Sequence, residues 1–196
     1  MKKLFLPILA ALLLTGCAKE SPKGSLLGRG EEYSVEALSF RTELYTDTNN
    51  PNNVSVDDSE YDAHMYIFCG NHTREGIPSF EEQYSGMIDD YVSMDGYAEG
   101  WTVNHSLEEK VVTIDGHEAE AMSLTVEMYR PERGRSWYFV EQAYLFAGGK
   151  CYMLQYIYDT MRDDLKYTYD PERDNADINE IKQRALTMYD HITVNA

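Results

Sequence analysis

The chain is short of positive charge. Over 196 residues, 17 lysines and arginines stand against 34 aspartates and glutamates, a formal net charge of −17. Such a surface repels nucleic acid phosphates and anionic lipid headgroups, which argues against DNA, RNA and direct lipid adsorption. Long apolar runs are also missing. The stretch from Leu4 to Leu14, broken only by Pro7, falls well short of the about 20 apolar residues a membrane-spanning helix needs. Cysteine is scarce: Cys17, Cys69 and Cys151 allow at most one bridge within the chain. The familiar catalytic signatures are absent too. There is no Gly-x-Ser-x-Gly elbow and no phosphate-binding glycine loop, since Gly28-Arg29-Gly30 lies in a polar stretch and Gly148-Gly149 suits a hairpin.

What is present begins with an address. Lys2-Lys3 precede the apolar run, and Leu14-Thr15-Gly16-Cys17 follows it. The length and flanks are those of a signal-peptide core. The four residues resemble a bacterial lipobox, and the resemblance implies diacylglyceryl transfer to the Cys17 sulfur with cleavage just before it. Two acyl chains bury enough methylene groups for stable anchoring, at about 0.8 kcal/mol per CH₂. Residues 1–16 are therefore expected to be a leader, removed in the mature protein. Its loss takes away two lysines and leaves 15 basic and 34 acidic side chains. Ala18 lacks the aspartate that tends to hold lipoproteins of two-membrane bacteria at the inner membrane, so an outer-membrane position is open in such a host. The expected location is extracytoplasmic, on the membrane through lipid on Cys17.

Residues 17–32 read as the lipidated cysteine and a glycine-rich flexible tether, and 33–196 as a single α+β domain large enough for a substantial core. Sixteen tyrosines suit half-exposed strands, where the ring packs and the hydroxyl stays wet. The same tyrosines suit a sugar-binding face. A first strand is expected at YSVEALSF from Tyr33, and a loop at 47–60, where asparagine, aspartate and Pro51 cluster. Strand character returns at Tyr61, with Ala63, Met65, Ile67 and Cys69 on one face. Tyr66 and Phe68 make the other face apolar as well, which calls for cover on each side. Ser79 and Glu82 form a capping-box pattern before a helix with Phe80, Tyr84, Met87, Ile88 and Tyr91 on one stripe, and Gly96 is a natural stop.

The firmest pattern is four consecutive antiparallel strands. Val111 to Ile114 leads into Asp115-Gly116, a preferred hairpin dipeptide. A strand from His117 to Tyr129, a turn at 131–134, a strand from Ser136 to Ala147, the Gly148-Gly149 turn and a strand from Cys151 to Tyr158 complete the meander. Residues 159–176 read as charged and irregular. Asp177 with Glu180 then opens a closing helix whose apolar stripe is Ile178, Ile181, Ala185, Met188, Tyr189 and Ile192. Sheet faces apolar on both sides predict helices over each. This order, with its "IDGHEA" and "YLFAGGKCYMLQY" hairpins and final amphipathic helix, resembles the PsbP-like fold over residues 33–193. That resemblance implies an α/β/α sandwich and a non-enzymatic accessory or binding role, and transfers no functional residue.

Candidate chemistry is sparse. His117-Glu118-Ala119-Glu120-Ala121 starts like His-Glu-x-x-His, but Ala121 replaces the second histidine and the segment is strand. His64, Cys69 and His72 lack an evident fourth zinc donor, and strand alternation sends His64 and Cys69 to opposite faces. Cys69 with His72 lacks the orienting group of a nucleophile-base pair. Asp57, Asp58, Glu60 and Asp62, like Asp170, Glu172, Asp174 and Asp177, are oxygen-rich without the EF-hand spacing, so a solvated acidic loop competes with weak calcium binding. Cys69 and Cys151 are compatible with one disulfide in an exported domain. The expectation is a lipid-anchored binding or accessory module with no catalytic residue, cofactor or metal assigned, and with a protein or small-molecule partner. The alternatives are an envelope hydrolase with acidic or histidine residues, or a calcium- or sugar-binding surface protein.

Overall fold

A computed structural model of the protein describes residues 25–93, 102–130, 134–160 and 177–195. Among the described residues, ten strands and two α-helices run in the order β1 (Glu31–Val35), β2 (Leu38–Thr42), β3 (Tyr45–Asn50), β4 (Asn53–Asp58), β5 (Ala63–Gly70), α1 (Phe80–Val92), β6 (Thr102–Ile114), β7 (His117–Arg130), β8 (Gly134–Ala147), β9 (Lys150–Asp159), α2 (Ile178–Leu186) and β10 (Thr193–Val194). Every pairing is antiparallel. Seven strands form one sheet in the order β3-β4-β5-β9-β8-β7-β6, and three form a small sheet in the order β1-β2-β10.

Period-2 patterning fixes which side chains go where. On β7, Met122, Leu124, Val126 and Met128 are buried in one cluster with Phe80 and Tyr84 of α1, while Ala119 and Ala121 join a second, larger cluster. That second cluster also holds Ile181 and Ala185 of α2 and Val35, Leu38 and Phe40 of the small sheet. The large sheet therefore has two buried faces, one packed by α1 and the other by the C-terminal segment with the small sheet. Burial of each such Leu or Met contributes about 1.5–3 kcal/mol.

Local signals account for the joints. Asp115 and Gly116 both adopt positive φ (46° and 80°), as their hairpin turn requires. Ser79 Oγ accepts from the Glu82 amide and the Glu82 carboxylate accepts from the Ser79 amide, so the capping box closes reciprocally. Asp177 caps α2 differently from the expected box, by accepting from the Asn179 amide at 2.9 Å.

Three expectations need correction. The single first strand is a hairpin, β1–β2, turning at Glu36-Ala37 with Glu36 at φ 52°. Glu-Ala carries no turn signal; tertiary contacts hold it, since the Ala37 amide donates to Tyr152 Oη (3.0 Å) and the Ala37 carbonyl accepts from the Asn195 amide (2.7 Å). The loop at 47–60 is largely the β3–β4 hairpin, in which Val54 and Val56 alternate inward beneath a polar outer surface. The C-terminal part of the expected tether, 17–32, is ordered against the domain. Leu26 and Leu27 are buried, Thr42 Oγ1 donates to the Leu26 carbonyl (2.8 Å), and the Gly28 amide donates to the Arg41 carbonyl (2.7 Å). Cys17, the leader, Gly96, residues 131–133 and the stretch 161–176 lie outside the described residues.

Candidate binding site

The residues singled out for chemistry do not converge. Cys69 pairs with Tyr152 and Gly70 with Cys151 across β5 and β9. Paired residues share a face, so the two thiols project to opposite sides of the sheet, and the disulfide allowed by composition does not form: both cysteines are free and buried. Burial pushes the Cys151 thiol up to about 11, with Cys69 adding to the shift, and burial also raises Cys69. Neither is poised as a nucleophile. His64 Nδ1 lies 3.8 Å from Asp57 on the surface, away from Cys69. His117 Nδ1 rests 3.0 Å from the Asp115 carbonyl oxygen in a strand, so the His-Glu sequence is a hairpin shoulder. Among the described residues, no three or more His, Cys, Asp or Glu side chains group as metal ligands. Asp170, Glu172 and Asp174 lie outside the described residues.

Asp58, a member of the acidic stretch considered for calcium, has turned inward. It is fully buried and takes a two-pronged contact from Arg184 of α2, Nε to Oδ2 at 2.9 Å and Nη2 to Oδ1 at 3.0 Å. Tyr156 Oη donates to the same Oδ2 at 2.9 Å, and the Tyr61 ring lies 5.7 Å from the guanidinium carbon. Burial alone would lower Arg184, but its hydrogen bonds and charge contact with Asp58 outweigh that and raise it. Tyr156 is raised far above the usual phenol range by burial first and Asp58 second.

A second buried acid, Glu141 on β8, sits on the same face. Its Oε1 takes Lys110 Nζ at 2.7 Å and the Tyr189 hydroxyl at 2.8 Å, and its Oε2 accepts from Ser123 Oγ. Lys110 Nζ also donates to Ser123 Oγ at 2.8 Å. Burial and the neighbouring carboxylate raise Tyr189 strongly. Both clusters tie the C-terminal segment to the sheet.

The α1 face is built differently. Among the described residues its buried polar groups are neutral: Tyr84 Oη donates to Gln142 Oε1 (2.8 Å), Gln155 Nε2 donates to Tyr84 Oη (2.9 Å), and Tyr144 Oη donates to Gln83 Oε1 (2.8 Å). Among the described residues, the sheet beside this network is left partly uncovered. The segment leading into α1, with Ile77 and Pro78, arches over β8 and β9 and leaves two depressions that share Ile77, Pro78 and Tyr144 as walls. One, of about 320 Å³, is lined by Phe68, Cys151 and Met153 and is largely apolar. The other, of about 430 Å³, continues past Phe146 to Glu109 and Val111 on β6. Arg74 bridges its mouth, 5.4 Å over the Phe146 ring and 3.3 Å from Glu120. These volumes fall in the range of ligand pockets. Sequence reasoning did not single out this trough. Its one legible trace was the apolar character of Tyr66 and Phe68 on the outer face of β5; Phe68 remains 37% exposed.

No protein-family model matches the chain, and no curated protein matches it in sequence. Among solved structures it is similar in shape to cyanobacterial PsbP (CyanoP) from Synechocystis sp. PCC 6803, with 13% identity over 88% of this chain and 99% of that one and a TM-score of 0.44. It is similar also to a protein of unknown function from Pseudomonas aeruginosa, with 11% identity over 70% of this chain and 88% of that one and a TM-score of 0.28.

Proposed function

We propose that the protein is a lipid-anchored cell-envelope lipoprotein whose domain, a PsbP-like α/β/α sandwich built on the β6–β9 meander, binds a partner and catalyses nothing. The observation that carries the binding role is the apolar trough between Phe68, Met153, Tyr144 and the Ile77-Pro78 arch. The two buried acids, by contrast, are spent on holding α2 and the turn after it. The lipobox supports the anchor. Since Leu26 is already packed, only Ala18 to Ser25 separate the lipidated cysteine from the domain, at most about 29 Å of fully extended chain. The domain would then work close to the membrane surface.

Two experiments test this. Cys17→Ser is expected to release the protein from the membrane fraction; unchanged membrane association contradicts the anchor. Saturation-transfer NMR with indole, on the mature chain carrying Cys17→Ser, is expected to show contact that Phe68→Glu abolishes. Contact indifferent to that substitution contradicts the trough as the binding surface.

A hydrolytic reading has one arrangement in its favour, Ser123 Oγ hydrogen-bonded to Glu141 beside a cleft of about 210 Å³. Glu141 is however shared with Lys110 and Tyr189, an arrangement that suits a structural clamp. Labelling of Ser123 by a fluorophosphonate probe, lost in Ser123→Ala, would favour the hydrolase over the binding module.

A further inference from the structure

The smaller depression of the trough gathers three metal-ligating side chains. His72, Cys151 and Met153 all line its volume of about 320 Å³. Cys151 and Met153 lie two apart on β9 and so share a face, and the register sets Gly70 opposite Cys151 and Phe68 opposite Met153. Opposite residues hold their Cβ positions about 4.5–5.5 Å apart. Gly70 has no side chain, and the His72 imidazole takes that space. A Cβ at position 70 would meet His72 Cδ2 at 2.8 Å and Nε2 at 3.1 Å. The ring therefore stands next to the Cys151 side chain. Lys150 Nζ donates to Asn71 Oδ1 at 2.9 Å and ties this loop to the start of β9.

The donors are uncommitted: among the described residues, neither the His72 ring nor the Cys151 and Met153 sulfurs make a hydrogen bond. One imidazole and one thiol fall short of a metal cluster, and the Met153 thioether supplies the third donor. Thiolate and thioether are soft ligands that select monovalent copper, and imidazole accepts the same metal. Charge points the same way. A thiolate holding one monovalent cation is neutral, which suits a cavity walled by Phe68 and Tyr144. A divalent ion would leave a net positive charge in that apolar setting, at a large desolvation cost. Cys151 is only 2% exposed, so a bare ion can reach a sulfur that a bulky thiol reagent cannot.

We propose that His72, Cys151 and Met153 form a binding site for a soft monovalent metal cation of the cuprous class. On binding, the Cys151 S–H bond gives way to a sulfur–metal bond and the proton leaves to solvent, with no change of oxidation state. This rests on the trough as the binding surface and names a ligand for it.

The test uses the mature chain carrying Cys17→Ser, so that the only thiols are Cys69 and Cys151. The probe is silver ion, a redox-inert equivalent of cuprous copper, in chloride-free buffer. Isothermal titration is expected to show one tight site per chain, with zinc bound at least about tenfold more weakly. Met153→Leu and His72→Gln are each expected to weaken silver binding at least about tenfold, and Cys151→Ala more than either. Cys69→Ala, on the other face, is expected to leave the site unchanged. The Met153 methyl and His72 ring NMR signals are expected to move with silver while the Met65 methyl stays in place. His72 is exposed and Met153→Leu conserves volume, so these two variants decide the matter even where Cys151→Ala disturbs the packing. Loss of the site in Cys69→Ala, or its survival in both Met153→Leu and His72→Gln, overturns the assignment. Zinc bound as tightly as silver overturns the soft monovalent class. Absence of a tight silver site overturns the inference as a whole, whereas the trough's binding role is judged separately by the indole contact described above.

Discussion

The two faces of the seven-stranded sheet solve the same packing problem in opposite ways. Beneath the C-terminal segment, buried charge is used freely: Asp58 grips Arg184, and Glu141 gathers Lys110, Ser123 and Tyr189. Beneath α1, among the described residues, the buried polar groups are neutral tyrosine and glutamine, and part of the face stays open. A buried ion pair is costly to break because the surviving partner is stranded, so it locks an element in one place. A neutral network next to an apolar trough imposes no such lock and leaves the surface able to accept a ligand. One face is built to hold, and the other carries the trough to which the proposed binding role is assigned.

Arg184→Met attacks the comparison hardest. It strands the Asp58 carboxylate, and urea denaturation is expected to show a loss of about 3–5 kcal/mol. The double variant Asp58→Leu/Arg184→Met is expected to recover most of that, because no lone charge remains; no recovery would mean that the pair adds more than geometry. Tyr189→Phe removes one donor from buried Glu141 and is expected to cost about 1–3 kcal/mol. Tyr84→Phe, on the neutral face, is expected to cost about 1 kcal/mol. Equal or reversed losses for Tyr189 and Tyr84 would erase the contrast between the faces.

The thiols give a pH test of the same packing. Folding raises Cys151 above its ordinary value of 9.0 to about 11 and raises Cys69 in the same direction. Their contribution is therefore complete below pH 9 and is lost as pH climbs towards 11, because the unfolded chain ionises first. Denaturation midpoints are expected to fall across that window, and a disulfide-exchange reagent at pH 8 is expected to label neither cysteine until the protein is unfolded. Rapid labelling of the native protein would contradict their burial. The smallest effect on stability is expected for Phe68→Glu, within about 0.5 kcal/mol as for an exposed site, even though it blocks the trough.

Much of this organisation is legible in the residues. Asp115-Gly116 and Gly148-Gly149 mark their turns, Ser79-x-x-Glu82 marks the start of α1, and the stripe Ile181, Ala185, Met188, Tyr189 and Ile192 is buried as its spacing implies. What stayed hidden depends on distant partners. Asp58 reads as one more acid in a polar stretch, and Arg184 as an ordinary exposed position on an amphipathic helix; they meet across 126 residues of sequence. Leu26 and Leu27 are too few to make a period, and β1–β2 turns on Glu36-Ala37, held by Tyr152 and Asn195 rather than by turn chemistry. The trough escaped for the same reason. Its walls come from β5, β8, β9 and the approach to α1, and no local run contains them.

The contrast between the faces can be read directly from methionine methyl NMR on the mature chain carrying Cys17→Ser. Met153 lines the trough, while Met65 and Met188 lie in the core on the opposite face. Titration with indole is expected to shift the Met153 methyl signal and leave those of Met65 and Met188 in place. Shifts at Met65 or Met188 with Met153 unmoved would place the working surface on the wrong side of the sheet and contradict the account.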